Sequence, residues 1–331
     1  MKREAAPLLP IGRHPFSSNA EPALPASRAR AALHISLPRK PIVKKLFVGI
    51  AVAAGLIAGA VTQATAQSAS PTLSRIKAAK VINVAFSGDS LPFSFVGSDN
   101  QPQGYSIDLC KRVIAQIGRA IGESNLKVNW MVGGVAERLQ MVKSGRADLE
   151  CANTTQTLVR LNDVDFSGLI FVDGGGFLVK NDSPVNRITE LGGKKIAVIR
   201  NTTTEQRLKD TLARRQVNAT VVPIAEATEG VAMLESGSVD AYAGDKIKLV
   251  GLAAQAKDPA KLALLAEDLS FEPYGFALPR NDSAYRLEVN RALTQVYMTG
   301  EIEKIFGAWL GKLGRPSSLL AAMYLLYSIP D

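Results

Sequence analysis

Histidine is nearly absent from this 331-residue chain: His14 and His34 are the only two, both near its start. Nothing beyond them can build a Ser-His-Asp triad, a His-ligated zinc site or a histidine general base. Cysteine is as scarce, with Cys110 and Cys151 alone, which leaves one pairing across 41 positions. In an oxidising compartment such a pair closes a disulfide; the other reading is two buried thiols at apolar positions. Aromatic residues make up 6% of the chain, and no basic face with interleaved aromatics follows residue 66, so nucleic acid is not an expected partner. Long apolar runs are missing too, with one exception.

That run, Leu46 to Val61, follows Arg39, Lys40, Lys44 and Lys45 and precedes Ala64-Thr65-Ala66. Together they read as the charged region, apolar region and small-residue cleavage site of an export signal. The run is too short and too rich in Ala and Gly for a membrane span, and no Cys adjoins the cleavage site to take a lipid. An exported protein, soluble after cleavage near Ala66, is expected, with residues 1–66 as leader and signal peptide. Residues 1–42 are rich in Pro, Arg and Ala without periodicity, and read either as a long leader or as sequence ahead of a true start near 43. The leader also explains the charge. Removing its nine basic and two acidic residues from totals of 39 and 30 leaves 30 against 28, so the basic pI of about 9.5 belongs mostly to it.

The remaining ~265 residues suit two lobes better than one core. Strand and helix patterns alternate: Val81–Ala85, then a helix over Ile107–Ile121 with Cys110, Val113, Ile114, Ile117 and Ile121 on one stripe, Lys127–Met131, a helix over Ala136–Ser144, and Ala147–Cys151. A second set follows: Gly176–Lys180, Lys195–Ile199, a helix over Thr204–Arg215, Thr220–Val222, a helix over Thr228–Ser236, and Ala241–Gly244. The strand Gly275–Pro279 then leads into helices over Ala284–Thr299, Glu301–Leu310 and Ser317–Tyr327, the last with Leu319, Met323, Leu326 and Tyr327 on one stripe packing back on the first lobe. Both sets contain a helix ended by Ser-Gly before a strand with an early Asp, Asp148 in one and Asp240 in the other. This is βαβ architecture with largely parallel sheets. The expected divisions are 67–172 for the first part of lobe 1, 173–273 for lobe 2, and 274–331 for the return segment and C-terminal helix. Gly174, Gly175 and Gly176 mark the first crossing between lobes, or else a loose surface turn, and the return lies near Glu272-Pro273-Tyr274.

Chemistry concentrates where the Ala147–Cys151 strand ends. Asn153, Thr154 and Thr155 fall where a strand passes into a helix start, with Arg160 further on. A guanidinium grips a carboxylate at two points, and neighbouring hydroxyls and N–H groups complete its hydrogen bonds. The plainer reading makes Thr155 a helix cap and Arg160 a surface charge.

Leu91-Pro92-Phe93-Ser94-Phe95, Gly104-Tyr105-Ser106-Ile107-Asp108-Leu109, Ser144-Gly145-Arg146-Ala147-Asp148, Thr154-Thr155 with Arg160, Asp165-Phe166-Ser167, Leu191-Gly192-Gly193-Lys194-Lys195, Val239-Asp240-Ala241 and Tyr274-Gly275 follow one another in a specific order. In that order the chain resembles a family 3 extracellular solute-binding protein of polar amino-acid ABC importers, from Ser74 to Gly311, and within the family it is similar to the glutamate/aspartate-binding group. The resemblance implies a type II periplasmic-binding fold of two α/β lobes on a two-strand hinge. It also implies a periplasmic receptor that is monomeric and takes a free amino acid to the permease subunits of an ABC transporter. No cofactor, metal or catalytic residue is expected.

By the same resemblance Arg160 and Thr155 hold the ligand α-carboxylate, with Thr154 and Asn153 beside them. Thr202 and Thr203 supply the second lobe's hydroxyl turn, where Asn201 replaces a glycine, and Asp245 pairs with the ligand ammonium. Ser90 joins this set, and Arg138 matches an arginine of the side-chain pocket. Read plainly, Asp245 is a helix cap and Arg138 a solvated helix charge. Ser87 and Thr228 stand where that group resembles itself in an arginine and a histidine, so two charges are missing and a related polar amino acid competes with glutamate or aspartate. Two other classes share such a fold: a cyclohexadienyl dehydratase-like enzyme, for which Glu150 is the general-acid candidate, and a ligand-sensing module for a membrane receptor.

Overall fold

The computed structural model describes residues 70–330, so the expected leader lies outside the described residues. The first lobe opens with α1 (Pro71–Ala79) and β1 (Val81–Phe86), passes a small sheet of β2 (Asp89–Ser90), β3 (Ser94–Val96) and β4 (Pro102–Gln103), and continues with α2 (Tyr105–Ile121), β5 (Lys127–Val132), α3 (Val135–Lys143) and β6 (Leu149–Cys151). The long strand β7 (Asp165–Lys180) crosses into the second lobe. There lie β8 (Lys195–Ile199), α4 (Thr203–Arg214), β9 (Thr220–Ile224), α5 (Ala227–Ser236), β10 (Ala241–Asp245), α6 (Lys246–Ala253) and β11 (Leu262–Leu264). The chain returns on β12 (Ser270–Leu278) and ends with α7 (Ser283–Met298), α8 (Glu301–Leu310) and α9 (Ser318–Leu326).

The main sheet runs β5-β1-β6-β12-β7-β10-β8-β9. Its outer pairs, β5 with β1, β1 with β6, β10 with β8 and β8 with β9, are parallel, and the central pairs through β12 and β7 are antiparallel. Helices on both faces follow from the βαβ alternation. Apolar residues separate accordingly. One core draws on α1, β1, α2, α7, α8 and α9, and two further clusters lie on β7, β8, β10 and the helices that cover them.

The repeated Ser-Gly and Asp rhythm has one geometry in both lobes. Gly145 and Gly237 take positive φ, 74° and 78°, ending the helices as only glycine does without strain. Asp148 then accepts the Asn83 N–H at 2.7 Å and Asp240 the Lys195 N–H at 2.8 Å, each tying the strand to its parallel neighbour.

The hinge loses its alternative reading as a loose turn, and the stripe on the last helix shifts. Gly174 to Gly176 form no turn: they lie inside β7, paired with β12 through Gly174–Phe271 and Gly175–Ser270. Glycine is needed there because a Cβ on Gly175 would meet the Ser270 hydroxyl at 2.2 Å and one on Gly176 the Lys246 stem at 2.7 Å. Glu272, Pro273 and Tyr274 oppose Asp173, Val172 and Phe171, so the two crossing strands run side by side at the hinge. On α9 the buried stripe is Leu320, Met323 and Tyr324, whereas Leu319 and Leu326 are exposed. The shift follows from Tyr324, whose hydroxyl meets that of Tyr105 at 2.9 Å in the first-lobe core.

Cys110 on α2 and Cys151 on β6 are joined as a disulfide. Closing a loop of 41 residues restricts the unfolded chain, so the Cys110→Ala, Cys151→Ala double variant is expected to unfold about 2–4 kcal/mol more easily in urea, with an unchanged ligand preference.

Candidate functional site

Between the lobes lies a cavity of about 510 Å³, within the usual range for small-molecule sites. Its first-lobe wall is the segment after β6. No helix starts there: one 3₁₀ turn, Arg160–Asn162, is all the helix the segment reaches. The reason is pairing with the hinge. Thr155 bridges Tyr274, the Gln156 N–H donates to the Pro273 carbonyl at 2.8 Å, and the Gly275 N–H donates to the Thr154 carbonyl at 3.1 Å. The Thr154 and Thr155 hydroxyls are therefore held by a strand, and Thr155 is no helix cap.

Arg160 folds back into the cavity wall, its Nη1 donating to the Thr155 carbonyl at 2.7 Å. That bond fixes the guanidinium and, among the described residues, leaves its other donors open to an anion. Burial presses its pKa below the ordinary arginine value, against the pull of Glu150, Glu272 and Asp245.

The second-lobe wall is the start of α4. Asn201 takes φ 61°, the left-handed turn that its replacement of a glycine requires. Thr202 is the N-cap: it accepts the Glu205 N–H at 3.1 Å and donates to the Ile199 carbonyl at 2.7 Å, so its hydroxyl is already engaged. Thr203 is the residue that meets the first lobe, with its Oγ1 3.4 Å from that of Thr155. Both hydroxyls donate to Glu272 Oε2, at 3.0 and 2.6 Å. This buried carboxylate on the hinge strand aims the two threonines.

Asp245 ends β10 and precedes α6 without any side-chain capping bond. Its carboxylate instead faces the cavity, accepting from Asn153 Nδ2 of the other lobe and from Thr204 Oγ1, both at 3.1 Å. Burial first, and then the Glu272 charge, raise its pKa to about 6. Asp173, on the hinge strand behind, is raised to about 7 by burial and by Asp245.

The far end of the cavity differs from the sequence expectation. Arg138 is no solvated charge: it is buried, and each of its nitrogens has a protein acceptor, Glu150 Oε1 at 2.8 Å, the Gly133 carbonyl at 2.8 Å and Thr154 Oγ1 at 3.4 Å. Ser87 and Ser90 line the cavity, their hydroxyls 2.8 Å apart. Thr228 does not: it is exposed on the first turn of α5, outside the lining.

Charged groups of the site region that escaped the sequence reading include Asp89, Glu137, Asp173, Glu226, Lys248 and Glu272. Asp89 and Lys248 line the cavity directly. A signal existed for Lys248, the one charged residue in the otherwise apolar stretch Ile247–Ala254 after Asp245.

The family model for bacterial extracellular solute-binding proteins, family 3, matches residues 82–312. A similar curated protein, the L-glutamate/L-aspartate-binding protein of Pseudomonas aeruginosa, is 32% identical over 249 residues, which are 75% of this chain and 82% of that protein. Among solved structures, an ancestral arginine-binding protein bound to glutamine is similar with a TM-score of 0.63 at 27% identity, over 70% of this chain and 98% of that one. An ancestral amino acid-binding protein described as a precursor of cyclohexadienyl dehydratase gives 0.62 at 26% identity, over 72% and 99%. The shared architecture is the type II periplasmic-binding fold, two α/β lobes on a two-strand hinge.

Proposed function

Because the chain belongs to the bacterial extracellular solute-binding proteins, family 3, we propose that it captures a free amino acid in the interlobe cavity and delivers it to the permease of an ABC importer. One observation carries this reading: the cavity opposes a guanidinium, Arg160 of the first lobe, to a carboxylate, Asp245 of the second. That is the charge pattern of an α-amino acid, whose carboxylate and ammonium sit on one carbon. Thr155 and Thr203 flank the carboxylate end, and the Thr203 and Thr204 N–H groups at the start of α4 face no helical acceptor. Glutamate and aspartate are the favoured ligands, in line with the relative from Pseudomonas aeruginosa.

Recognition is split between lobes, so binding and closure are one equilibrium. A ligand that touches Arg160 and Asp245 together stabilises only the closed arrangement. We take the lobes as 67–172 with 274–331, and 173–273, limits that fall within the hinge strands β7 and β12. The protein acts as an exported monomer after cleavage near Ala66, and among the described residues no helix is long and apolar enough to cross a membrane. No catalysis is assigned. Glu150, the general-acid candidate, is fully buried against Arg138 and Thr154 and does not line the cavity, which argues against a dehydratase.

A thermal-shift screen against the twenty amino acids tests the proposal. Glutamate or aspartate at 100 times Kd is expected to stabilise by about 2.7 kcal/mol. A screen in which no amino acid moves the transition, while a dicarboxylate without an amino group does, overturns it.

A further inference from the structure

Lys248 is more than nine-tenths enclosed on the first turn of α6, yet it lines the interlobe cavity. An ammonium carries three N–H donors. Among the described residues one is used, donating to Ser90 Oγ of the opposite lobe at 3.0 Å. No carboxylate of the described residues stands within ion-pair distance of it, whereas the other enclosed cation, Arg138, has Glu150 at 2.8 Å and an acceptor for every nitrogen. Asp89, Asp245 and Glu226 are the nearby counter-charges, none of them in an ion pair with the amine, and Asp89 already accepts from the Ser87 hydroxyl at 3.1 Å and the Ala227 N–H at 2.8 Å. A buried cation with unfilled donors is costly unless a partner arrives. The partner here comes from the cavity.

We infer that Lys248 is the specificity-determining cation of this site, binding the side-chain carboxylate of a dicarboxylic amino acid through the N–H donors that Ser90 leaves open. The inference rests on the amino-acid reading above and names the substrate class of the same cavity. Its placement fits: Asp245 is the last residue of β10 and the N-cap of α6, Lys248 stands in the first turn of that helix, and both line the same cavity. A ligand ammonium on Asp245 and its distal carboxylate on Lys248 then lie along one edge of α6. Arg138 lines the cavity too, but its Nε is engaged by Glu150 and its Nη2 by Thr154, and the inference gives it the part of a positioning residue that holds Thr154. Ser90, fixed by Ser87, positions the amine.

Glutamate and glutamine have nearly the same shape and differ in the distal charge, so their affinity ratio reads Lys248 directly. Calorimetry with wild-type protein is expected to show glutamate bound about 30-fold or more tightly than glutamine, the worth of a charge-assisted bond in an enclosed site. Lys248→Met should erase that ratio by weakening glutamate while leaving glutamine within about threefold, and Lys248→Arg should keep the preference for glutamate. A Lys248→Met variant with the wild-type glutamate-to-glutamine ratio, or wild-type protein preferring a cationic amino acid, overturns the assignment of Lys248 while leaving the amino-acid receptor standing. Wild-type protein that binds no amino acid overturns the receptor, and this inference with it. Arg138→Gln provides the control that distinguishes the two cations: equal losses for both ligands agree with positioning, and a selective loss of glutamate with Lys248→Met unchanged places the role on Arg138 instead.

Discussion

Arg160→Ala is expected to lower amino-acid affinity by about 1,000-fold or more, beyond what calorimetry resolves, while the thermal transition of the ligand-free protein moves little. The size follows from the role proposed for the side chain, to meet the one full negative charge that every α-amino acid carries, in the cavity between the lobes. Removing one member of such a pair costs about 2–5 kcal/mol, and about 4 kcal/mol is a factor of 1,000. The fold loses little because, among the described residues, Arg160 belongs to no apolar cluster and makes one side-chain bond, to the Thr155 carbonyl at 2.7 Å. Arg160→Lys separates charge from geometry. A lysine keeps the charge but cannot grip both carboxylate oxygens in one plane, so an intermediate loss of about 30-fold is expected. Micromolar binding by the alanine variant would mean that the carboxylate is held elsewhere, by the α4 N-terminus and Thr203 alone.

The contacts around Arg160 also explain which parts of the site were legible in the sequence. Helix and strand positions came through because each lobe is built from short alternating elements with sharp ends: the stripe from Cys110 to Ile121 is buried on α2 as its spacing requires, and Gly145 and Gly237 terminate helices by backbone geometry alone. Asp245 and Arg160 were singled out by the family resemblance, and both line the cavity. What stayed hidden was set by partners distant in sequence. Thr155 and Thr203 are aimed by Glu272, 117 and 69 positions away, and nothing local to them announces it. The helix expected after Thr155 is lost to a bridge with Tyr274, another distant partner. Arg138 carries the same lesson, since its guanidinium is claimed by Glu150 across the α3–β6 connection. The cation at the far end of the cavity was sought at positions 87 and 228, one a serine engaged with Ser90 and the other exposed. It is supplied by Lys248, which reaches over from the second lobe.

Asp245 gives the second large effect, and its signature is a pH dependence that runs in opposite directions for the free protein and the complex. The free carboxyl titrates at about 6, raised by burial and by the neighbouring Glu272 charge. A group whose folded pKa lies above its unfolded value favours folding in its protonated form. Its contribution is therefore complete below the ordinary aspartate value of 3.8 and is lost as pH rises through about 6. Asp173, raised to about 7, acts in the same direction. Ligand-free protein should gain thermal stability on going from about pH 7 to about pH 4.5 from these two groups. Binding behaves the other way, because the ligand ammonium pairs with ionised Asp245: affinity is full above about pH 7 and weakens toward tenfold per unit below the pKa of about 6. Between about pH 7.5 and about pH 5 a loss of roughly tenfold is expected, with proton uptake on binding absent at the upper end and proton release appearing at the lower, readable by calorimetry in buffers of different ionisation enthalpy. Asp245→Asn removes the counter-charge outright. It should cost about 100-fold or more at neutral pH and flatten the pH profile of whatever binding remains, while Asn153 and Thr204 still find an amide to bond. An affinity that stays constant from about pH 5 to about pH 7.5 in the wild type, or an asparagine variant with unchanged binding, would take the ammonium away from Asp245.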